Sequence, residues 1–297
     1  MKFFAVTILA LAAAASARNL DLEDVLNFEN NTAYGYLTKI GVPLADKIRK
    51  AEEEVSQNPS RIIAGYLAVL GQFPYQAGLL LQLPSGDEAF AGGVLLSTTR
   101  VLTAAHNLND GFTTVASVTV VLGSVTIFTG GTRLTTSDMI LHEDYSLWTI
   151  SNDIAMINLP YAVSTSSIIA PIALPSGSQL DEDFSGDIAI ASGFGKTADI
   201  GGVVANQALS FVDLTVITNA ECANTFGSFV QSSNVCTRGA GSKNICTGDS
   251  GGPLAVIRNS SPLLIGITSF GTQSCEAGNP SAFARVTSYI SWIKNLL

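Results

Sequence analysis

From Ile62 onward the chain is a succession of short apolar or alternating runs divided by turn residues, and this pattern restricts the fold more than any other feature. Tyr75 to Leu83, Gly93 to Leu96, Val115 to Val121, Asp153 to Leu159, Ile188 to Ser192 and Leu263 to Phe270 are such runs, with Gly, Pro, Asn and Ser clusters between them. Side chains alternate along a strand with a period of two, so many short runs at this spacing predict an all-β barrel or sandwich. Helical periodicity is clear only at the end, where Val286, Tyr289, Ile290, Ile293 and Leu297 share one face of a helix from about Thr287. The chain has no repeat and no low-complexity segment. Only 13% of its residues are charged and 47% are hydrophobic, which fits a buried core and not a disordered chain. The net charge of −9 gives it no electrostatic reason to bind nucleic acid or an anionic membrane.

The residues before Ile62 read differently. Lys2, the apolar run Phe3 to Ala14 and the small residues Ala15-Ser16-Ala17 form a secretory leader, residues 1–17. The run is shorter than the roughly 20 residues a membrane-spanning helix needs, so an exported protein without a membrane span is expected. Residues 18–61 are acidic and lack cysteine; within them Leu44 to Val55 reads as a short charged helix. Asn58-Pro59-Ser60-Arg61 is rich in breakers and places one arginine before the apolar Ile62-Ile63-Ala64-Gly65. The four cysteines, Cys222, Cys236, Cys246 and Cys275, lie in the last quarter of the chain. Export makes disulfides the expected state, and four cysteines allow three pairings. Zinc is not expected, because no Cys-x-x-Cys pair occurs and no histidine is near.

Acyl transfer by a serine needs a hydroxyl nucleophile, a base, a group that orients the base, and donors for an oxyanion. Ser250 is flanked by Gly248, Gly251 and Gly252, whose uncovered amides suit an oxyanion hole made by the N–H groups of Gly248 and Ser250. The same Gly-Asp-Ser-Gly-Gly fits the nucleophile elbow of α/β-hydrolases, but that fold needs a histidine after the serine, and none follows Ser250. The chain has two histidines. His106 ends the apolar run Val101-Leu-Thr-Ala-Ala, beside two small residues that let an imidazole face a cleft, whereas His142 sits in an acidic, turn-like context. Asp153 enters the apolar run Ile154 to Leu159, and a buried carboxylate there needs a partner, for which His106 is the candidate.

Together these residues resemble the chymotrypsin-like serine peptidase family over the whole of 62–297. Thr103-Ala-Ala-His106, Asp153-Ile-Ala-Met-Ile157 and Gly248-Asp-Ser-Gly-Gly-Pro253 are similar to its three catalytic blocks, in the order His, Asp, Ser. The resemblance implies two packed antiparallel six-stranded β-barrels, about 62–175 and 176–286, with a C-terminal α-helix at about 287–297. It implies a serine endopeptidase made as an inactive precursor, with 18–61 as propeptide and cleavage between Arg61 and Ile62. Asp249 would then receive the new ammonium of Ile62. Ser250, His106 and Asp153 would act as nucleophile, base and orienting group. The propeptide stretch from Gly41 to Glu53 is similar to that of insect digestive chymotrypsins, particularly those of moths and butterflies. The family pairing would join Cys222 to Cys236 and Cys246 to Cys275.

The chain departs from the family at the cysteine beside the histidine, which is Asn107 here, and at its partner, since Ala91-Gly92-Gly93 has no cysteine. Packing around His106 must stand in for that bridge. Family alignment places Asn244 at the floor of the primary pocket, Gly271 and Ser281 at its walls, and Ser269-Phe270-Gly271 on the strand that pairs with substrate. A neutral floor predicts cleavage after large apolar or aromatic residues, with elastase-like or collagenolytic specificity as the alternative; Lys243, near the floor, could admit acidic side chains. No cofactor and no metal are expected, since Gly111 to Ser137 holds no carboxylate. The expected partners are protein or peptide substrates, an activating trypsin-like protease and proteinaceous protease inhibitors, for a monomer secreted into a gut lumen. The rival without catalysis is an inactive homologue that keeps the fold as a binding module.

Overall fold

The computed structural model describes residues 31–57, 66–199, 208–239 and 244–297. The expected leader, Arg61, Ile62 and Lys243 lie outside the described residues.

A two-residue strand, β1 (Tyr66–Leu67), precedes two antiparallel sheets. The first holds β2 (Gln76–Gln82), β3 (Glu88–Ser97), β4 (Arg100–Thr103), β5 (Ser117–Leu122), β6 (Thr132–Thr136), β7 (Met139–Leu141) and β8 (Ala155–Asn158), in the order β6-β5-β2-β3-β4-β8-β7. Strand β2 is buried along almost its whole length, and its period of two sends alternate residues to separate cores. Leu80 joins Phe90, Val94 and Leu102, whereas Leu79 and Leu81 join Leu95, Val101 and Val120.

The second sheet holds β9 (Ile188–Gly193), β10 (Ser210–Ile217), β11 (Asn234–Thr237), β12 (Pro253–Arg258), β13 (Ser261–Phe270) and β14 (Ser281–Arg285). Pairing of β9 with both β10 and β12 closes these six into a barrel. The expected chymotrypsin-like arrangement is therefore present, as one closed six-stranded barrel and one half-barrel. The first sheet does not close by backbone pairing, because β6 and β7 form its two edges. The assignment of the chain from Ile62 to the first barrel also changes: Tyr66 and Leu67 pair with Phe211 and Ser210 of the second, on the side of β10 that β9 leaves open.

Three α-helices are described. The first, α1 (Val42–Gln57), contains the helix expected at 44–55 and presents Leu44, Ala45, Ile48 and Ala51 on one buried face. Pro43 has no N–H to give to the preceding turn, and that turn, Leu37–Gly41, is a π-turn closed by the Val42 N–H on the Leu37 carbonyl. The second, α2 (Asn219–Phe226), starts at Thr218, whose hydroxyl accepts from the Glu221 N–H, and stops at Gly227 with φ +55°. Cys222 on α2 is bonded to Cys236 on β11, and Cys246 to Cys275. The C-terminal α3 (Ile290–Leu296) follows a 3-10 turn at Val286–Tyr289.

Candidate active site

Strand β4 ends in a 3-10 turn, Ala105–Asn107, that holds His106 fully buried. Asp153 precedes β8, the neighbour of β4, and follows Asn152, which adopts φ +54°. Register between the two strands therefore sets the pair. His106 Nδ1 lies 2.8 Å from Asp153 Oδ2, and the His106 backbone N–H donates to Asp153 Oδ1 at 2.9 Å. The Ser269 hydroxyl donates to Asp153 Oδ2 at 2.5 Å. Burial pushes the Asp153 carboxyl up, but the His106 charge, the ring and Ser269 hydrogen bonds and the His106 amide outweigh it, so the net direction is down. Asp153 is thus held ionised against the imidazole.

Ser250 comes from the loop between Cys246 and Pro253, which carries two left-handed glycines. Gly248 has φ +104°, and a Cβ there would lie 2.7 Å from the Phe90 ring and 3.0 Å from Leu44. Only glycine fits that backbone and that space. Among the described residues, no group accepts the N–H of Gly248 or of Ser250. Asp249 points away from Ser250. Its carboxylate accepts from Gly195 N–H at 2.9 Å and Cys246 N–H at 2.8 Å, and no cation pairs with it among the described residues. Burial pushes its carboxyl up to about 6, against those two hydrogen bonds. The residue keeps some accessible surface, but the carboxylate itself is enclosed by Gly193 and Gly195.

Hydrogen bonds connect Asn107 to the Ala91-Gly92-Gly93 run, where the sequence has no cysteine bridge. Asn107 Nδ2 donates to Thr103 Oγ1 at 3.0 Å and to Ser250 O at 3.1 Å. Thr103 Oγ1 donates to Gly92 O, and Gly92 N–H donates to Ser250 O, each at 2.8 Å. Four residues thereby connect the histidine turn, β3 and the serine loop, a role that the sequence expectation left to packing.

Asn244, Gly271 and Ser281 line one pocket with Ser250, Ser269 and Phe270. Asn244 Oδ1 accepts from the Ile245 N–H and the Ser281 hydroxyl, and its Nδ2 donates to Asn279 O. The floor is a neutral amide with both oxygen lone pairs engaged. The remaining space is about 20 Å³, room for one water and no side chain.

The sequence reading missed what fills the rest. Thr32 and Tyr36 also line this pocket. Tyr36 is 1% exposed, its ring stands edge-on to His106 at 5.2 Å, and its hydroxyl donates to Phe90 O at 2.9 Å. Burial chiefly, with the Asp249 charge, pushes its pKa up and suppresses ionisation. The phenol therefore stays neutral. His106 Nε2 is buried and has no hydrogen-bond partner. The readable signal was the aromatic and apolar set Tyr34, Tyr36, Leu37, Leu44 and Ile48, which a solvated acidic segment does not need.

Comparison with known proteins gives concordant matches. The family model described as Trypsin matches residues 62–293. Brachyurin of Leptuca pugilator is 39% identical over 238 residues, 78% of this chain and 97% of that protein. Collagenase of Hypoderma lineatum is 37% identical over 236 residues, 79% of this chain and 86% of its own. The solved structure of HL collagenase superposes with a TM-score of 0.70 at 36% identity, covering 79% of this chain and 98% of that one.

Proposed function

The chain belongs to the trypsin family and is a serine endopeptidase, and on that premise we propose that Ser250 is its nucleophile, His106 its base and Asp153 the group that orients the base. The observation that carries this reading is the buried His106–Asp153 pair, with Nε2 unpartnered among the described residues and the next residue, Asn107, bonded to Ser250 O. Ser250 Oγ attacks the scissile carbonyl as His106 Nε2 takes its proton. The same nitrogen returns the proton to the leaving amine, and a water then repeats the sequence to release the acyl group. The carboxylate, kept ionised by its three hydrogen bonds, stabilises the imidazolium between these steps. The N–H groups of Gly248 and Ser250 are the donors for the developing oxyanion.

The enzyme is made as a precursor, with a leader at 1–17 and a propeptide at 18–61, and is switched on by a trypsin-like protease that cuts after Arg61. Asp249 supports this reading, because an enclosed carboxylate without a cation is a receptor for the ammonium of Ile62. The neutral Asn244 floor with Gly271 and Ser281 supports cleavage after large apolar residues. One relative called collagenase, and the solved structure of HL collagenase, favour collagenolytic specificity as the second reading. Secretion and a digestive role follow from the leader and from the similarity of 41–53 to insect digestive propeptides; proteinaceous inhibitors are its further partners.

A serine-directed phosphonyl fluoride, applied after cleavage at Arg61, tests the nucleophile. One label per chain on Ser250, lost in His106→Ala, is the expected result. Absence of label in fully cleaved chain would show a binding module instead.

A further inference from the structure

Residues 31–57 lie outside the span matched by the family, 62–293, yet they are built into the cleft. At one end Thr32 bonds to Gly271: its hydroxyl accepts from Gly271 N–H at 3.1 Å, and its hydroxyl and its own N–H both reach Gly271 O at 3.4 Å. Tyr36 then stands against His106 and lines the same pocket as Ser250. The Leu37 N–H donates to Asp110 Oδ2 at 3.0 Å, and Asp110 is fully buried. Leu44 on α1 packs beside Gly248. At the far end Glu52, 5% exposed, accepts from the N–H groups of Ile127 and Phe128 at 2.7 and 3.1 Å and from the Thr129 hydroxyl at 3.0 Å. Glu52 is buried despite its charge, because the turn at 127–129 presents donors that its carboxylate satisfies.

The segment therefore covers the substrate strand, the nucleophile, the base, the oxyanion glycine and a remote loop in one pass. It is also a poor substrate. Backbone recognition by a sheet edge needs an extended peptide, and this one turns helical at Tyr36, with Lys39 N–H bonded to Gly35 O and Val42 N–H to Leu37 O. What meets Ser250 is a phenol and not a carbonyl.

We propose that residues 31–57 are a cleft-bound peptide inhibitor of this chain, anchored by Tyr36 and Glu52, which silences the enzyme separately from the Arg61–Ile62 junction and stays bound after that junction is cut. The proposal rests on the reading of Ser250 as nucleophile. Before cleavage the segment is tethered and its effective concentration is high; afterwards it is held by affinity alone. Activation then has two steps, cleavage and release, and the second depends on dilution.

The test uses the full chain cut at Arg61 by an immobilised trypsin-like protease, as wild type, Tyr36→Ala, Glu52→Gln and Ser250→Ala. Label incorporation from a phosphonyl fluoride is timed at about 10 µM and about 10 nM protein. In the wild type, the fragment ending at Arg61 is expected to co-elute on gel filtration at the higher concentration, and labelling to quicken at least about 10-fold on dilution. Tyr36→Ala and Glu52→Gln should lose co-elution and label at one rate throughout. Wild-type labelling at one rate at both concentrations, with the fragment eluting alone, would overturn the proposal. Co-elution in Ser250→Ala decides docking without any reactive serine, so loss of label in every chain with co-elution intact would sink the nucleophile assignment and leave the docking standing.

Discussion

The Tyr36 ring meets the His106 imidazole edge-on, with centroids 5.2 Å apart and planes inclined by 75°. A residue from the segment ahead of the family domain thus stands against the imidazole. His106 Nε2 has no hydrogen-bond partner among the described residues, and Tyr36 lines one pocket with Ser250. On the proposed reading, the segment covers the candidate triad.

Asp153→Asn should preserve the fold and lower kcat of the cleaved enzyme about 10⁴-fold, because an amide cannot hold the imidazole tautomer or stabilise its charge. Ester hydrolysis by the purified variant, with urea unfolding as the control for folding, measures it.

Asp249→Asn should leave cleavage at Arg61 intact and abolish turnover, since an amide cannot pair with the ammonium of Ile62. The same variant should alter the uncut chain. The folded Asp249 carboxyl sits near 6 against an ordinary value of 3.8. The folded state therefore holds a proton that the unfolded chain has released, and stability falls as pH rises from about 4 to about 6. That loss reaches at most about 3 kcal/mol above pH 6 and shrinks to the extent that water reaches the group. Urea unfolding of the uncut chain across this range should show the slope in wild type and its absence in Asp249→Asn.

Asn107→Ala removes two buried hydrogen bonds and leaves Ser250 O with one donor. A cost of about 2 kcal/mol, or about 4–8 °C in Tm, is expected. Calorimetry of the uncut chain reads it, and a change within error would mean that Asn107 does not replace the missing bridge.

Peptide-library profiling of the cleaved enzyme should show Phe, Tyr, Leu or Met before the scissile bond and slow cleavage after Arg. Asn244→Asp, which places a carboxylate at the floor beside Ser281, should reverse that order. A wild-type preference for Arg would remove Asn244 as the determinant.

The candidate triad was legible because its residue types are few and their order is informative. With two histidines in the chain and none after Ser250, only His106 lay in an apolar, small-residue setting. The β class was equally legible, since burial of alternate residues in strands such as β2 is written directly into their pattern. Closure was not: whether a sheet's edges meet depends on pairing between segments far apart in the chain, which periodicity does not carry. For the same reason the pairing of Tyr66–Leu67 with β10 is not legible in the sequence.

Ahead of the domain, sequence alone determined that Leu44 to Val55 favours a helix, that Glu52 is acidic and that Arg61 precedes an apolar start. Only the tertiary structure decided that this helix has a buried face, that Glu52 satisfies the amides of Ile127 and Phe128, and that Tyr36 lines one pocket with Ser250. Local propensity is a property of neighbours along the chain. Whether an acidic, aromatic segment is solvated or docked depends on donors and apolar surface that distant residues bring to it, and these exist only once the two sheets are packed.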